Sequence, residues 1–200
     1  MLLLLRRSFT MAVICLVLFG FVYALAGTGL SQLAFKGQAN GSLTPNGSLL
    51  IGQNWSSSRW FHGRPDDTGP YATNVAKGIA GGDNPLVANG VAGGSGATQF
   101  GPRSKTLLAD TKALVAYWRD RGVTPTPDLV TTSGSGYDPD ISPMDATVQI
   151  PMVARATGVA PRELRRLIAS QTHGPQWGFL GSSYIDVLAL NEALARAEHR

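Results

Sequence analysis

The run RWFHGRPDDTGP, residues 59–70, sets a histidine, two arginines and two aspartates within nine positions. His62 could act as a general base, and the pairs Asp66/Asp67 and Asp138/Asp140 could share acid and base work. Downstream, SGSG at Ser133–Gly136 is followed by Asp138. That pattern could imitate a hydrolase turn, with Ser135 as nucleophile and His62 or His173 as its base. Each element also has a plainer reading. The chain has no G-x-S-x-G and no Walker A sequence. GGSGAT at Gly93–Thr98 lacks the lysine and hydroxyl residue of a phosphate cradle. His62, His173 and His199 are far apart, with no cysteine or paired acid at ligand spacing, so no metal site is expected. Turn and cap positions account for the aspartates. The reading is therefore no catalytic residue and no firmly bound cofactor; the alternative is a membrane-anchored or secreted serine-type hydrolase, or a binding module.

Read structurally, the same run is a latch. Trp60 and Phe61 fill a core or an interface pocket. Gly63 removes a side chain, so the backbone can turn or be approached closely. Pro65 holds Arg64 extended, and the guanidinium offers a rigid fork to a carboxylate.

The elements that must position these residues follow from pattern. SLLIGQ (Ser48–Gln53) and DLVTTS (Asp128–Ser133) read as strands. Ser104 caps a helix running to Arg121, with Gly122 just past its end and Leu107, Leu114, Val115 and Trp118 on one face. Ser142, Pro143 and Asp145 are the start of a second helix that reaches Thr157 and stops at Gly158, with a kink expected at Pro151. A third covers Arg162–Gln171. A short strand then leads into a last helix capped by Asp186, with Val187, Leu190 and Leu194 inward. Between Gly81 and Gly101, seven of 21 residues are glycine, which reads as loop.

Before the domain lies the strongest physical signal. From Ser8 to Phe35 there is no charged side chain in 28 residues, and roughly 20 apolar residues suffice to cross a bilayer as a helix. Arg6 and Arg7 precede this run and Lys36 follows it. The positive-inside tendency puts the N-terminus in the cytoplasm and the rest outside. Ala24–Ala26 followed by Gly27 is also compatible with a cleaved signal peptide. The expected organisation is a cytoplasmic stretch 1–8, a transmembrane helix 9–31 and an extracytoplasmic domain 32–200. The fold class is mixed α and β (α+β), with a single compact domain.

The net charge is +4 for 200 residues. Without Arg6 and Arg7, 15 of the 17 basic residues face 13 acids, and the charge falls to +2. No clustered Lys/Arg footprint marks a nucleic-acid partner. Cys15, the sole cysteine, lies in the apolar run, so no disulfide is expected.

Three blocks carry a family likeness: NGSLLIGQNWSSSRWFHGRP, then LVTTSGSGYDPDISPMDATVQIPMVARATGV, then YIDVLALNEAL. In this order, behind one membrane helix, they resemble the C subunit of the Kdp potassium-transporting ATPase, the KdpC family. In the family pattern, GRP is Gly63-Arg64-Pro65, the DP of the second block is Asp138-Pro139, and the glutamine before the internal proline is Gln149. Met152 stands where the family has an arginine. AGGDN (Ala80–Asn84) and AGGS (Ala92–Ser95) are rival matches to one glycine-rich motif, which leaves the register between Asp66 and Gly101 open.

The resemblance implies an accessory subunit of a P-type potassium-transporting ATPase, not an enzyme itself. It would sit in the cell (inner) membrane beside a channel-like A subunit, a P-type ATPase B subunit and a small F subunit, in contact with membrane lipid. It implies a role in assembly and as a catalytic chaperone that raises the ATP affinity of the B subunit. ATP would be met only as a ternary complex with that subunit, and the topology argues against direct nucleotide contact. Trp60, Phe61, Gly63, Arg64, Pro65, Asp138 and Gln149 are the expected structural or partner-contact residues, with Asp138 as the acid for Arg64.

Overall fold

A computed structural model describes residues 1–53, 55, 57–65, 99–135 and 137–198. Asp66, Asp67, the glycine-rich excursion with GGSGAT and both rival family matches, and His199 lie outside the described residues. The chain divides into two compact units, Met1–Leu43 and Thr44–Arg200.

The first unit is dominated by helix α1, Leu2–Ala34. It takes in Arg6 and Arg7 as well as the whole apolar run. The middle segment, Leu16–Val22, has π-helical hydrogen bonding. Thirty-three residues at 1.5 Å each give about 50 Å, more than the roughly 30 Å of a bilayer core. None of its most apolar stretch is buried against protein. The side chains that water would repel are thus left to whatever surrounds the helix. A single turn, α2 (Lys36–Ala39), follows.

The second unit is mixed in class but poor in strand. β1 (Leu43–Thr44) and β2 (Gly47–Ser48) make one short hairpin. β3 (Asp140–Ile141) and β4 (Ile185–Asp186) pair antiparallel, with Ile141 opposite Ile185 and Asp140 opposite Asp186. Among the described residues, four helices carry the core: α3 (Lys105–Asp120), α4 (Pro143–Thr157), α5 (Pro161–Gln171) and α6 (Val187–Glu198). The side chain of Ser104 caps α3, accepting from the Leu107 amide at 3.3 Å. Ser142 and Asp145 form a reciprocal capping box on α4, with Asp145 N donating to Ser142 Oγ at 3.1 Å and Ser142 N to Asp145 Oδ2 at 2.9 Å. The helix runs through Pro151, which is solvent-exposed, and ends where Gly158 turns left-handed at φ 76°. Asp186 caps α6, accepting from the Ala189 amide at 2.6 Å.

Two expected strands are absent. Beyond Ser48 the chain turns, and its backbone is held at Gly52, whose amide donates to the Tyr137 carbonyl at 2.8 Å. One bond to a loop is not a ladder. Asp128–Val130 is a 3-10 turn behind Pro127 instead of a strand. Pro127 takes helical angles, its carbonyl accepts from Val130, and the Leu129 carbonyl accepts the Trp118 indole N–H at 2.9 Å. Local bonds have displaced any strand partner.

The core gathers Trp55, Trp60, Phe61, Leu114, Trp118, Leu129, Ile150, Val153, Leu164, Ile185, Leu190 and Leu194. Each of α3, α4, α5 and α6 supplies at least one of them. Leu107 and Val115 are half-buried at its margin.

Candidate functional site

The segment Arg59–Pro65 threads between α4 and α6 without entering a strand. Buried backbone must nevertheless satisfy its amides and carbonyls. Two side-chain amides do this work. Asn191 of α6 accepts from the Phe61 N–H at 2.9 Å and donates to the Phe61 carbonyl at 2.8 Å. Gln149 of α4 accepts from the His62 N–H at 2.8 Å and donates to the His62 carbonyl at 3.0 Å. Each amide offers what a neighbouring strand's peptide would offer. Phe61, His62, Gln149 and Asn191 are all 0% exposed.

The clamp fixes the side chains on either side of it. Phe61 and Trp60 turn into the core, and Trp60 stacks obliquely on Trp55 with ring centroids 5.5 Å apart. His62 Nε2 lies 3.0 Å from the Ser57 carbonyl, its Nδ1 3.5 Å from the Tyr117 hydroxyl, and its ring 5.2 Å from that of Trp118. Burial pushes the imidazole down to about 4, despite the Ser57 carbonyl, and Arg121 adds to the depression. A neutral ring sealed from solvent cannot serve an external substrate as a base. The hydrolase alternative therefore loses His62. Ser135 Oγ accepts from the Tyr137 amide at 3.2 Å and lies 3.3 Å from Ser133 Oγ. His173 sits elsewhere, its ring stacked on Tyr184 at 5.0 Å.

Beyond the clamp, Arg64 Nη1 lies 3.4 Å from Asp138 Oδ2, and Nη2 donates to the Thr132 carbonyl at 3.2 Å. The two charged side chains are 26% and 28% exposed. The ion pair is single-pronged and partly exposed. Pro65 is buried.

One expectation needs correction. Gly63 does not mark a close approach: a Cβ there would meet nothing nearer than 3.9 Å. Gly52 does, since a Cβ would come within 2.5 Å of the Asp138 carbonyl oxygen. Trp60, Phe61 and Gln149 are buried, which is the structural one of the two parts expected for them. Their part is internal support. Asn191 escaped notice in the sequence, although a polar residue on the inward face of α6, between Leu190 and Leu194, was the available signal.

Next to the Arg64 pair the backbone brings carboxylates together. Asp140 and Asp186 face each other across β3 and β4. Partial burial, then the charges of Asp186 and Asp138, push Asp140 up to about 6, with His173 opposing. Burial also raises Asp186, against the amides of Ala189 and Leu188 that hold its charge. Among the described residues, no group of three or more histidines, cysteines and acids is placed to hold a metal ion.

Residues 5–196 match the family model KdpC, described as K+-transporting ATPase, c chain. A potassium-transporting ATPase KdpC subunit of Gloeobacter violaceus is 41% identical over 182 residues, covering 88% of this chain and 86% of the relative. One of Caulobacter vibrioides is 43% identical over 186 residues, covering 89% and 85%. One of Methylobacterium nodulans is 41% identical over 198 residues, covering 95% of each. With a family model spanning nearly all its length and relatives of this similarity, the chain belongs to the KdpC family.

Proposed function

We propose that this chain is the non-catalytic subunit of a high-affinity, ATP-driven potassium uptake complex. The family match over residues 5–196 carries this reading, and the relatives are named as subunits of a potassium-transporting ATPase. The subunit assembles with a channel-like A subunit, a P-type ATPase B subunit and a small F subunit. Residues 9–31 span the membrane, residues 1–8 stay in the cytoplasm and residues 32–200 lie outside. Arg6 and Arg7 before the apolar run support that orientation.

Its contribution is assembly and a raised ATP affinity of the ATPase subunit. ATP is cytoplasmic, so a domain outside meets no nucleotide. Coupling through α1 or through the channel-like subunit is the physically simpler route. The clamped segment acts inside the domain: Gln149 and Asn191 hold Phe61 and His62, and Arg64 ties that segment to the Asp138 loop. Together they shape the surface offered to the partner.

Cys15 is the only cysteine and lies within the apolar run. Ser170→Cys, exposed on α5, should therefore be labelled by a membrane-impermeant maleimide in intact cells. Labelling only after lysis would reverse the orientation. ATPase assays with and without the chain test its role: omission should raise the KM for ATP. An unchanged KM in an intact complex would contradict the chaperone role.

A further inference from the structure

Between α5 and β4 the chain leaves the domain as a small hairpin. Its root is the bridge His173–Tyr184, closed by N–H to carbonyl bonds of 2.9 and 3.0 Å. Its tip is the bridge Gln176–Leu180, closed by bonds of 2.8 and 2.9 Å. Trp177 at the tip is held left-handed at φ 52°, a conformation that is a true outlier for a bulky side chain. Trp177 is 82% exposed, Phe179 74% and Leu180 45%. A fixed, strained tip that gives two aromatics to water has no use in the domain's own core. Buried aromatics of this kind supply much of the energy of protein interfaces.

The charge pattern decides what covers it. From Gly174 to Ser183 there is no charged side chain, so the receiving surface is apolar. The root is different. His173 there lies in the field of Asp140 and Asp186, which face each other across β3 and β4. Arg64 pairs with Asp138 and Arg196 with Glu192, so Asp140 and Asp186 are the acids that give the root its charge. An anionic bilayer would be repelled by this root, and a second copy apposing the same tip would bring the same acids together. A protein pocket with basic side chains at its rim suits both parts.

We infer that this hairpin is a docking anchor, which inserts Trp177 and Phe179 into an apolar, basic-rimmed pocket on another chain of the potassium-transporting ATPase. The inference rests on the membership in that complex proposed above. The test uses the full-length chain co-expressed with the other ATPase chains. A photo-crosslinking residue at position 177 should yield an adduct with one of those chains. An adduct with lipid or with a second copy, or no adduct in an assembled complex, overturns the docking claim. Separately, the double variant Trp177→Asn and Phe179→Ser should weaken assembly by roughly 30-fold, the effect of one strong hot spot, with an unchanged Tm. Asparagine tolerates the left-handed turn, so the hairpin is kept. Assembly at the wild-type level overturns the claim even if the Tm falls. If the unaltered chain does not join the ATPase chains at all, the proposed function fails, and this anchor with it.

Discussion

Gln149→Leu isolates the clamp, since leucine nearly matches the volume and removes only the hydrogen bonds. The His62 N–H and carbonyl then lose the partners now at 2.8 and 3.0 Å. Both groups lie in a region where His62 and Gln149 are 0% exposed, so water does not replace the amide. A buried polar group left unpaired costs about 1–3 kcal/mol. Two such groups give roughly 2–6 kcal/mol, a large share of the ~5–15 kcal/mol that holds a domain together. Arg64→Ala is the internal comparison. Its ion pair is a single 3.4 Å contact between side chains 26% and 28% exposed, which is worth about 1 kcal/mol or less. Urea unfolding of the full chain in detergent should therefore rank Gln149→Leu well above Arg64→Ala. Asn191→Leu should resemble Gln149→Leu. Because the two amides hold adjacent residues, the double variant should cost less than the sum. The reasoning is refuted if Gln149→Leu costs under about 1 kcal/mol, or if Arg64→Ala costs as much.

Gly52→Ala should destabilise by roughly 1–3 kcal/mol, because its Cβ would lie 2.5 Å from the Asp138 carbonyl oxygen; Gly63→Ala, with nothing nearer than 3.9 Å, should be close to neutral by the same thermal melt. Acidification tests His62: buried, it stays neutral down to about 4, whereas the unfolded chain takes up that proton near pH 6.5. Its contribution to stability is therefore lost as pH falls from about 6.5 to about 4. Asp140 works in the opposite sense, since its carboxyl is pushed up to about 6; the folded chain takes up that proton first, and stability is gained as pH falls through the same window. Asp140→Asn should raise the Tm at pH 7.5 and leave a steeper loss of Tm between pH 6.5 and 4; a Tm unchanged at pH 7.5 would refute the crowding of Asp140.

What could be read from the sequence was whatever local chemistry determines. Ser142, Pro143 and Asp145 specify a helix start in four residues, and Gly158 a stop, so α4 was legible to its ends. The same holds for Ser104 and α3. The short strand before α6 was legible and is β4, Ile185–Asp186, but the two longer ones were misread, because a strand is defined by its partner. Leu49–Gln53 has the right residue types and lacks a ladder; Asp128–Val130 has them behind a proline that favours a turn. The burial of Trp60 and Phe61 follows from their type. The clamp does not, since nothing local to Phe61 and His62 announces that Gln149, 87 positions away, and Asn191, 130 away, will supply the hydrogen bonds of their peptide groups. The readable signal was on the helices: one amide among inward-facing apolar residues on each. Gly63 and Gly52 make the same point. Both are glycines in family-like blocks, and only the approach of the Asp138 loop tells them apart.

Membership of a potassium-transporting complex as an accessory chain is the centre of this account, and one purification tests it. The tagged full-length chain, expressed with the genes for the other ATPase chains and extracted in mild detergent, should bring the ATPase and channel-like chains with it in fixed stoichiometry. A chain that purifies alone from membranes in which those partners are present would contradict it.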